Sequence, residues 1–331
     1  LQLVVYIERS RDGRRRLAAL LLLTIVGVVE SLLAEVSYAV RYWRFAMEHD
    51  GALAATGTLG YANALAGLLL LTLAATAALY LESRTWPWAR TDGGAPVAAV
   101  ALHAAAALQV AALVLTRSRA AMAILVALLV ALAIARAFRV AGGAARHRGV
   151  GIALSLLLVC GVAAAAVLVW KEVAPQLAVS GLPPSGSDPT DVVPMTSNAF
   201  RLKTWAAGLE AARERPILGW GLGTFYEAYS PFKLGGHTAY AHDVVIQYLV
   251  EVGAVGALLV LAFLVAAVVR PLATLTGPID NPRIPLLLGA LAFVLHNLVD
   301  LTWFFPALFY VFALVVGLLA APTGRRSSTT S

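Results

Sequence analysis

The feature that most limits how this chain can fold is a series of apolar runs about as long as a membrane is thick. A hydrocarbon core of roughly 30 Å requires about 20 apolar residues per helix. Because backbone polar groups inside a bilayer must be satisfied within the helix, such runs predict an all-α, polytopic transmembrane helix bundle of about eight spans. The approximate limits of the eight runs are 17–39, 61–81, 96–116, 120–138, 149–170, 244–269, 284–300 and 303–321. The last two are short, and we expect a tight hairpin around Pro306.

The composition agrees with a membrane protein and argues against a nucleic-acid partner. Of the 331 residues, 60% are hydrophobic and 13% are charged, whereas soluble domains carry about 25% charged residues. The formal net charge of +7 comes from arginines in short loops between apolar runs, a pattern typical of membrane topology rather than of a binding stripe. The single cysteine, Cys160, lies within an apolar run, which excludes a disulfide framework and a cysteine metal site.

The distribution of basic residues predicts the orientation of the chain. Fifteen of the 25 lysines and arginines fall in loops on one side, and the other ten fall mostly in or beside one long loop. Because short cytoplasmic loops are enriched in Lys and Arg, both termini are predicted to be cytoplasmic and the long loop faces outside. The chain then divides into residues 1–170 with five spans, an outer loop at 171–243, and residues 244–331 with three spans and a tail. Since Leu1 is not a methionine, and LQLVVYIE resembles the end of a span, we expect the chain to be N-terminally truncated.

The outer loop has two parts. Residues 179–197 are rich in Pro, Ser, Gly and Asp and are predicted to be flexible. Residues 198–214 are predicted to form an amphipathic helix with Ser197 as its N-cap and Pro216 as its stop. The predicted apolar stripe consists of Leu202, Trp205, Leu209 and Ala212. We expect this helix to lie along the membrane surface.

Three arginines on the predicted outer side are candidate ligands for a lipid phosphate. Arg117 and Arg119 stand in the sequence TRSR between the third and fourth spans, and Arg201 precedes Trp205 by one helical turn. The planar guanidinium binds phosphate oxygens in a bidentate manner. The alternative is an interfacial arginine that anchors a helix end and binds nothing specific.

The glycines of PILGWGLGTF (216–225) do not match a known nucleotide-binding motif. No Lys-Ser or Lys-Thr pair follows them, as a Walker loop requires, and no strand precedes them, as a dinucleotide site requires. We therefore expect Gly219, Gly221 and Gly223 to permit a tight turn or a close approach of the backbone to a ligand.

Two pairs of polar residues are candidates for catalysis. His237 and His242 are five residues apart, which is not the spacing of a helical metal pair. A neutral imidazole at the membrane surface suits a general base, and an ordinary loop histidine is the alternative. His296 and Asp300 lie one turn apart in a predicted span, where such a pair indicates either function or a structural hydrogen bond. The polar residues Glu30 and Glu35 lie in the first span with no role assigned.

Five segments of the chain, taken in sequence order, resemble motifs of the O-antigen ligase / O-antigen polymerase family of bacterial membrane glycosyltransferases. AHDVVIQYLVEVGAVG is similar to the family's His-Asn-x-x-Leu…Glu-x-Gly-x-x-Gly motif, and TRSRAA is similar to its Ser-Arg-Gly-Ala-like motif. The resemblance spans roughly residues 50–310. The segments that carry it are GTLGYANALAG (57–67), TRSRAA (116–121), FRLKTWAAGLEAARERPILGWGLGTF (200–225), AHDVVIQYLVEVGAVG (241–256) and HNLVDLTWFFPAL (296–308).

The resemblance implies an enzyme that moves a glycan from a polyprenyl-pyrophosphate carrier to an acceptor hydroxyl on the outer face of the cytoplasmic membrane, without a metal or other cofactor. His242 would be the catalytic base, and Arg119 and Arg201 would bind the pyrophosphate. Supporting roles are expected for Arg117, Trp205, His237, Asp243, His296 and Asp300. The acceptor would be a glycan, a lipid or a protein, and membrane lipids surround the protein.

Asp243 and Ala120 depart from the family pattern, which usually has Asn and Gly at these positions. A carboxylate beside His242 would raise the histidine pKa, orient the ring or face water. A ligase and a polymerase of this family differ only in acceptor, and the sequence does not separate them. A transporter or flippase of lipid-linked glycans is a further alternative, although its charged residues are expected nearer the midplane. An assembly scaffold would not account for the order of the motifs.

Overall fold

The computed structural model describes residues 13–42, 46–49, 52–84, 94–141, 197–234, 236–274 and 281–320. These residues form an all-α membrane bundle, as predicted from the apolar runs. The helices are α1 (Gly13–Ala39), α2 (Ala62–Ser83), α3 (Gly94–Leu115), α4 (Arg119–Ala141), α5 (Ser197–Glu214), α6 (Phe225–Tyr229), α7 (Val244–Thr274), α8 (Arg283–His296) and α9 (Pro306–Ala320). The predicted span 149–170, Cys160 and the Pro/Ser-rich segment before Ser197 lie outside the described residues.

Seven of the eight predicted spans coincide with described helices. Among the described residues, four apolar stretches are long enough to cross a membrane, namely Arg14–Ala39, Ala62–Ser83, Pro96–Leu115 and Val244–Ala267. Three apolar stretches are shorter, namely Arg119–Ile134, Arg283–His296 and Pro306–Ala320. The exposed side chains of the long stretches include Val97, Val100, Leu258 and Leu259. Apolar exposed side chains are expected on helices whose outer faces contact lipid rather than water.

The two helices of the hairpin predicted around Pro306 have different ends from those predicted. The first of its helices, α8, ends at His296 and not at residue 300, and the chain turns over residues 297–305. Asn297 stabilises the turn, because its Oδ1 accepts hydrogen bonds from Thr302 Oγ1 at 3.0 Å and from Trp303 N–H. Pro306 is the first residue of α9, a position where proline is favoured because its missing N–H has no partner to lose.

The described residues divide into two compact units. The first comprises residues from Leu1–Leu125, Ala262–Asn297 and Thr302–Ser331, and the second comprises residues from Val126–Leu261 and Leu298–Leu301. This division does not test the predicted boundaries at 170 and 243, which stay a prediction.

The first unit contains a buried polar cluster among the apolar side chains of α1, α2 and α3. Gln109 Nε2 donates to Thr76 Oγ1 at 2.9 Å, and Thr72 Oγ1 donates to Gln109 Oε1 at 2.8 Å. Thr76 Oγ1 lies 3.3 Å from Thr24 Oγ1. A Cβ on Gly27 would come within 2.6 Å of Gln109 Oε1, so a glycine is needed where α1 crosses the cluster.

A small element that the sequence did not predict precedes α2. Strands β1 (Ala46–His49) and β2 (Ala52–Ala55) pair antiparallel, with Ala46 opposite Ala55. Glu30 on α1 accepts a hydrogen bond from the backbone N–H of Thr58 at 3.0 Å and another from its hydroxyl. The Glu30 carboxylate therefore fixes the turn that leads into α2, whereas Glu35 Oε1 is buried with no hydrogen-bond partner among the described residues.

The second unit has its own core, formed by α5, α6 and the start of α7. The predicted apolar stripe of α5 is only partly right, because Leu209 is 41% exposed while Ala212 is buried. The packed face of α5 consists instead of small residues, Ala207, Gly208, Ala211 and Ala212. Small side chains allow α5 to lie close to the aromatic rings of α6, and a Cβ on Gly208 would approach Ile246 Cγ2 to 3.1 Å.

The glycine-rich turn after α5 packs against a break in α7. The backbone of α7 is therefore what the glycines of this turn approach. Gly253 interrupts the helix with φ 65° and ψ −170°. Trp220 N–H and Gly221 N–H donate to the carbonyls of Val250 and Glu251 at 2.9 and 2.7 Å. On the other side of the break, Ala254 N–H and Val255 N–H donate to the carbonyls of Pro216 and Ile217 at 2.8 and 3.3 Å.

The glycines at this contact are required by backbone packing. A Cβ on Gly219 would lie 2.5 Å from the carbonyl of Glu251, and one on Gly253 would lie 2.2 Å from the carbonyl oxygen of Ile217. The segment 216–221 thus satisfies backbone groups that the break in α7 leaves without helical partners. The expected close approach of the backbone is made to another helix of the protein.

Candidate active site

His242 lies two residues before α7 in a backbone conformation that a histidine seldom adopts. Its φ is +56°, in the left-handed region that costs a residue with a Cβ about 1–3 kcal/mol unless its surroundings hold it there. Such local strain is often associated with functional sites. The hydrogen bonds of the preceding residue, Ala241, explain how this conformation is held.

The two peptide groups that flank Ala241 are fixed by buried side chains. Ala241 N–H donates to Gln247 Oε1 at 2.7 Å, and Trp205 Nε1–H donates to the Ala241 carbonyl at 2.8 Å. Gln247 is itself held by Glu251, whose Oε1 accepts from Gln247 Nε2 at 2.7 Å. A continuous chain of hydrogen bonds therefore runs from Glu251 to Trp205 and passes through the residue before His242.

Gln247 is a site residue that the sequence reasoning missed. The signal was present, because Gln247 and Glu251 are polar residues four apart, one helical turn, within the apolar span Val244–Ala267. Polar residues in a span usually face the protein interior, and both are buried. Trp205, which we expected to support the site, contributes through its indole N–H.

An ion pair accompanies His242 in the second unit. Arg201 Nη2 lies 2.8 Å from Asp300 Oδ2, and the two side chains are 16% and 2% exposed. Asp300 belongs to the turn 298–301 and also accepts a hydrogen bond from Leu301 N–H at 2.8 Å. The bond to Asp300 uses one of the five N–H groups of a guanidinium.

Burial and this ion pair determine the protonation of His242. Burial lowers the pKa of His242 to about 4, with Asp300 acting to raise it and Arg201 acting to lower it further. The imidazole is therefore neutral at neutral pH and has a lone pair for a proton. Its Nδ1 is buried and has no hydrogen-bond partner among the described residues, while the ring meets Phe200 edge-on, with centroids 6.1 Å apart.

Asp243, the predicted departure from the family pattern, caps α7. Its Oδ1 accepts hydrogen bonds from Val245 N–H and Ile246 N–H, both at 2.8 Å, which is the geometry of a helix N-cap. Burial raises the Asp243 pKa, and the two backbone hydrogen bonds act to lower it. Asn is as good an N-cap as Asp, so the two residue types are interchangeable in this role.

The remaining candidates take other partners. His237 is exposed, and its ring nitrogens lie 3.2 Å from Tyr226 Oη and 3.1 Å from Lys233 Nζ. His296 and Asp300 are not one turn apart on a helix, because α8 ends at His296. The Nε2 atom of His296, in the first unit, lies 3.4 Å from Ser118 Oγ.

The two arginines of TRSR stand on either side of Ser118 in the first unit. Arg117 is exposed and has φ +56°, so the chain turns sharply there, and Arg119 is the first residue of α4. Both arginines are exposed. Ser118 between them is buried, and its backbone N–H donates to Thr116 Oγ1 at 3.2 Å.

The fold and the site together define a helical membrane protein with a strained, neutral histidine beside an Arg–Asp ion pair. Residues 104–261 match the family model described as O-antigen ligase, and this match supports assignment of the chain to that family. The matched region contains Arg119, Arg201 and His242. No curated protein in the comparison matches this chain. The match supports a membrane glycosyltransferase of the ligase or polymerase type.

Proposed function

We propose that this protein transfers a glycan from a polyprenyl-pyrophosphate carrier to an acceptor hydroxyl, with His242 as the general base. The observation that carries the proposal is the half-buried, neutral imidazole of His242, whose pKa responds to the charges of the Arg201–Asp300 pair. A general base must be unprotonated before the reaction and must be stabilised as it takes up a proton. Desolvation provides the first property and the Asp300 carboxylate provides the second.

In the proposed step, the acceptor oxygen attacks the anomeric carbon of the donor glycan as its proton passes to His242. The bond between that carbon and the pyrophosphate oxygen breaks, and its electron pair leaves with the polyprenyl pyrophosphate. A guanidinium is suited to the growing charge on the leaving group because it offers several N–H donors in one plane. Arg201 would bind that charge in the second unit, while Asp300 holds the Arg201 side chain in place.

Arg119 is proposed as a further pyrophosphate ligand on the strength of the family resemblance alone. In this proposal the site faces the outside of the cytoplasmic membrane, both termini are cytoplasmic, and residues 171–243 form the catalytic loop. The acceptor is a second glycan, a lipid or a protein. A polymerase extends a second copy of its own donor, whereas a ligase uses a different acceptor.

The direct test is consumption of a polyprenyl-pyrophosphate-linked glycan in membranes that contain the protein. We expect His242→Ala to abolish transfer, with a loss of about 10²–10⁴-fold for removing a general base, while the amount of inserted protein is unchanged. His103→Ala is the matched control, because His103 lies on the exposed side of α3 and hydrogen-bonds its own helix at Ala99. Equal consumption by wild type and His242→Ala would refute the base, and product size would separate a polymerase from a ligase.

A second test concerns the arginines. Arg201→Lys keeps the positive charge and loses the planar fork, so we expect transfer to fall by about 10- to 100-fold, since bidentate binding of phosphate is lost. Arg119→Lys is expected to act in the same direction. Arg213→Lys is the control, because Arg213 is exposed and pairs with Glu210 on the surface of α5. If both Arg201→Lys and Arg119→Lys are silent, the pyrophosphate binds elsewhere.

A further inference from the structure

The second unit contains an exposed apolar turn that has no role in the proposed reaction. Three large apolar side chains of the glycine-rich turn point away from the protein, with Ile217 65%, Leu218 75% and Leu222 72% exposed. Adjacent exposed apolar side chains of this size normally mark a contact surface. The same turn contains Trp220, a residue type that concentrates at the boundary between membrane and water.

The backbone contacts of this turn place it beside a membrane-spanning segment. The carbonyls of Pro216 and Ile217 accept hydrogen bonds from Ala254 and Val255, and these two residues lie inside the apolar span Val244–Ala267. The turn is therefore held next to a part of α7 that lies within a stretch long and apolar enough to cross a membrane. Backbone outside a helix is tolerated at such a depth only when its polar groups are satisfied by protein, and the hydrogen bonds across the α7 break do so.

The apolar surface continues from the turn onto α7. Val255, Leu258 and Leu259 on the same span are 49%, 64% and 68% exposed, and such side chains on a membrane helix contact acyl chains. The Arg215 guanidinium carbon lies 4.1 Å from the centroid of the Trp220 ring.

We propose that Ile217, Leu218 and Leu222 insert into the bilayer and contact lipid acyl chains, so that the glycine-rich turn anchors α5 at the membrane. The anchor is coupled to α5 because Trp220 Nε1–H donates to the Ala211 carbonyl at 2.8 Å. The proposed membrane contact is made by the turn, whereas the packed face of α5 contacts α6. This assignment does not depend on the proposed catalytic reaction.

The test uses the full chain with its only cysteine removed by Cys160→Ala, reconstituted in phosphatidylcholine vesicles. Leu218→Cys and Leu222→Cys are each labelled with an environment-sensitive nitrobenzoxadiazole probe. The matched control is Arg213→Cys, because Arg213 on α5 is as exposed as Leu222, at 72%. Each labelled protein is compared in ordinary lipid, in lipid brominated on its acyl chains, and in the presence of aqueous iodide.

We expect the probes at 218 and 222 to lose most of their emission in brominated lipid and little of it with iodide, and the probe at 213 to show the reverse. Quenching of 218 and 222 by iodide alone would overturn the proposal and place the turn in water. Protection of both positions from both quenchers would also overturn it, because the turn would then be covered by protein. Two independent positions guard against a local disturbance by one label.

Discussion

Two buried glutamines, Gln109 in the first unit and Gln247 in the second, illustrate how the same residue type serves different purposes in this protein. Both lie on membrane-spanning helices, with exposures of 0% and 2%, and both use their two amide ends in hydrogen bonds. Gln109 bonds Thr72 and Thr76 on a neighbouring helix. Gln247 bonds Glu251 on its own helix and the backbone of the residue before His242.

The difference lies in what each glutamine holds. The Gln109 cluster joins helices that have ordinary backbone geometry, and hydrogen bonds between membrane helices typically contribute about 0.6 kcal/mol each. The Gln247 chain holds a histidine with positive φ and a buried ring nitrogen. A satisfied network without strain indicates a structural role, whereas a network that maintains strain beside a titratable group indicates function.

Among substitutions that test the difference between the two glutamines, Gln247→Leu is expected to have the largest effect on the transfer rate. Leucine has a similar volume but cannot accept the Ala241 N–H, so the backbone of His242 would relax from its left-handed conformation. We expect the rate of glycan transfer to fall by about 100-fold, the cost of moving a catalytic group by roughly 1 Å, with little change in the KM for the donor. The measurement is steady-state kinetics on equal amounts of inserted protein.

Gln109→Leu is the matched control for that substitution. It removes the hydrogen bonds that Gln109 makes to Thr72 and Thr76, and such bonds in a membrane bundle contribute about 0.6 kcal/mol each. We expect a lower midpoint of thermal unfolding in detergent and an unchanged transfer rate per folded molecule. A comparable loss of transfer in both variants would contradict the distinction between a structural and a positioning glutamine.

The smallest effect concerns Asp243. If its carboxylate acts as the N-cap of α7, Asp243→Asn will leave transfer and stability nearly unchanged, because Asn and Asp cap helices equally well. Asp243→Ala will cost about 1 kcal/mol of stability. A large loss of transfer in Asp243→Asn with normal stability would show instead that the negative charge beside His242 is used in the reaction.

The sequence was sufficient for the parts of the fold that depend on hydrophobic length. The apolar runs predicted the spans now seen as α1 to α4 and α7 to α9, and proline and serine marked the ends of α5. The packed face of α5 was predicted from its large apolar residues, and Leu209 proved exposed because small residues allow closer packing. The pairing of β1 with β2 has no strong local pattern in the sequence.

The sequence predicted which types of residue form the candidate site, but it did not predict which of them contact each other. Histidine was expected near the start of the sixth predicted span and arginine at the start of the amphipathic helix. The second unit contains Arg201 and Asp300 as an ion pair whose charges act on His242. Asp300 was expected to be a helical neighbour of His296, and the early end of α8 at His296 removes that arrangement. Contacts between residues 99 positions apart depend on tertiary packing, which periodicity does not contain.

The central claim, that His242 is a half-buried neutral base, is tested most directly by the acid dependence of kcat/KM for glycan transfer. A base is active when it is unprotonated, so activity is retained above its pKa and lost as the pH falls through it. The account predicts a half-maximal value near pH 4, with full recovery of enzyme that is returned to neutral pH, and a still lower midpoint in Asp300→Asn. A midpoint near the ordinary histidine value of 6.5, unmoved by Asp300→Asn, would contradict it.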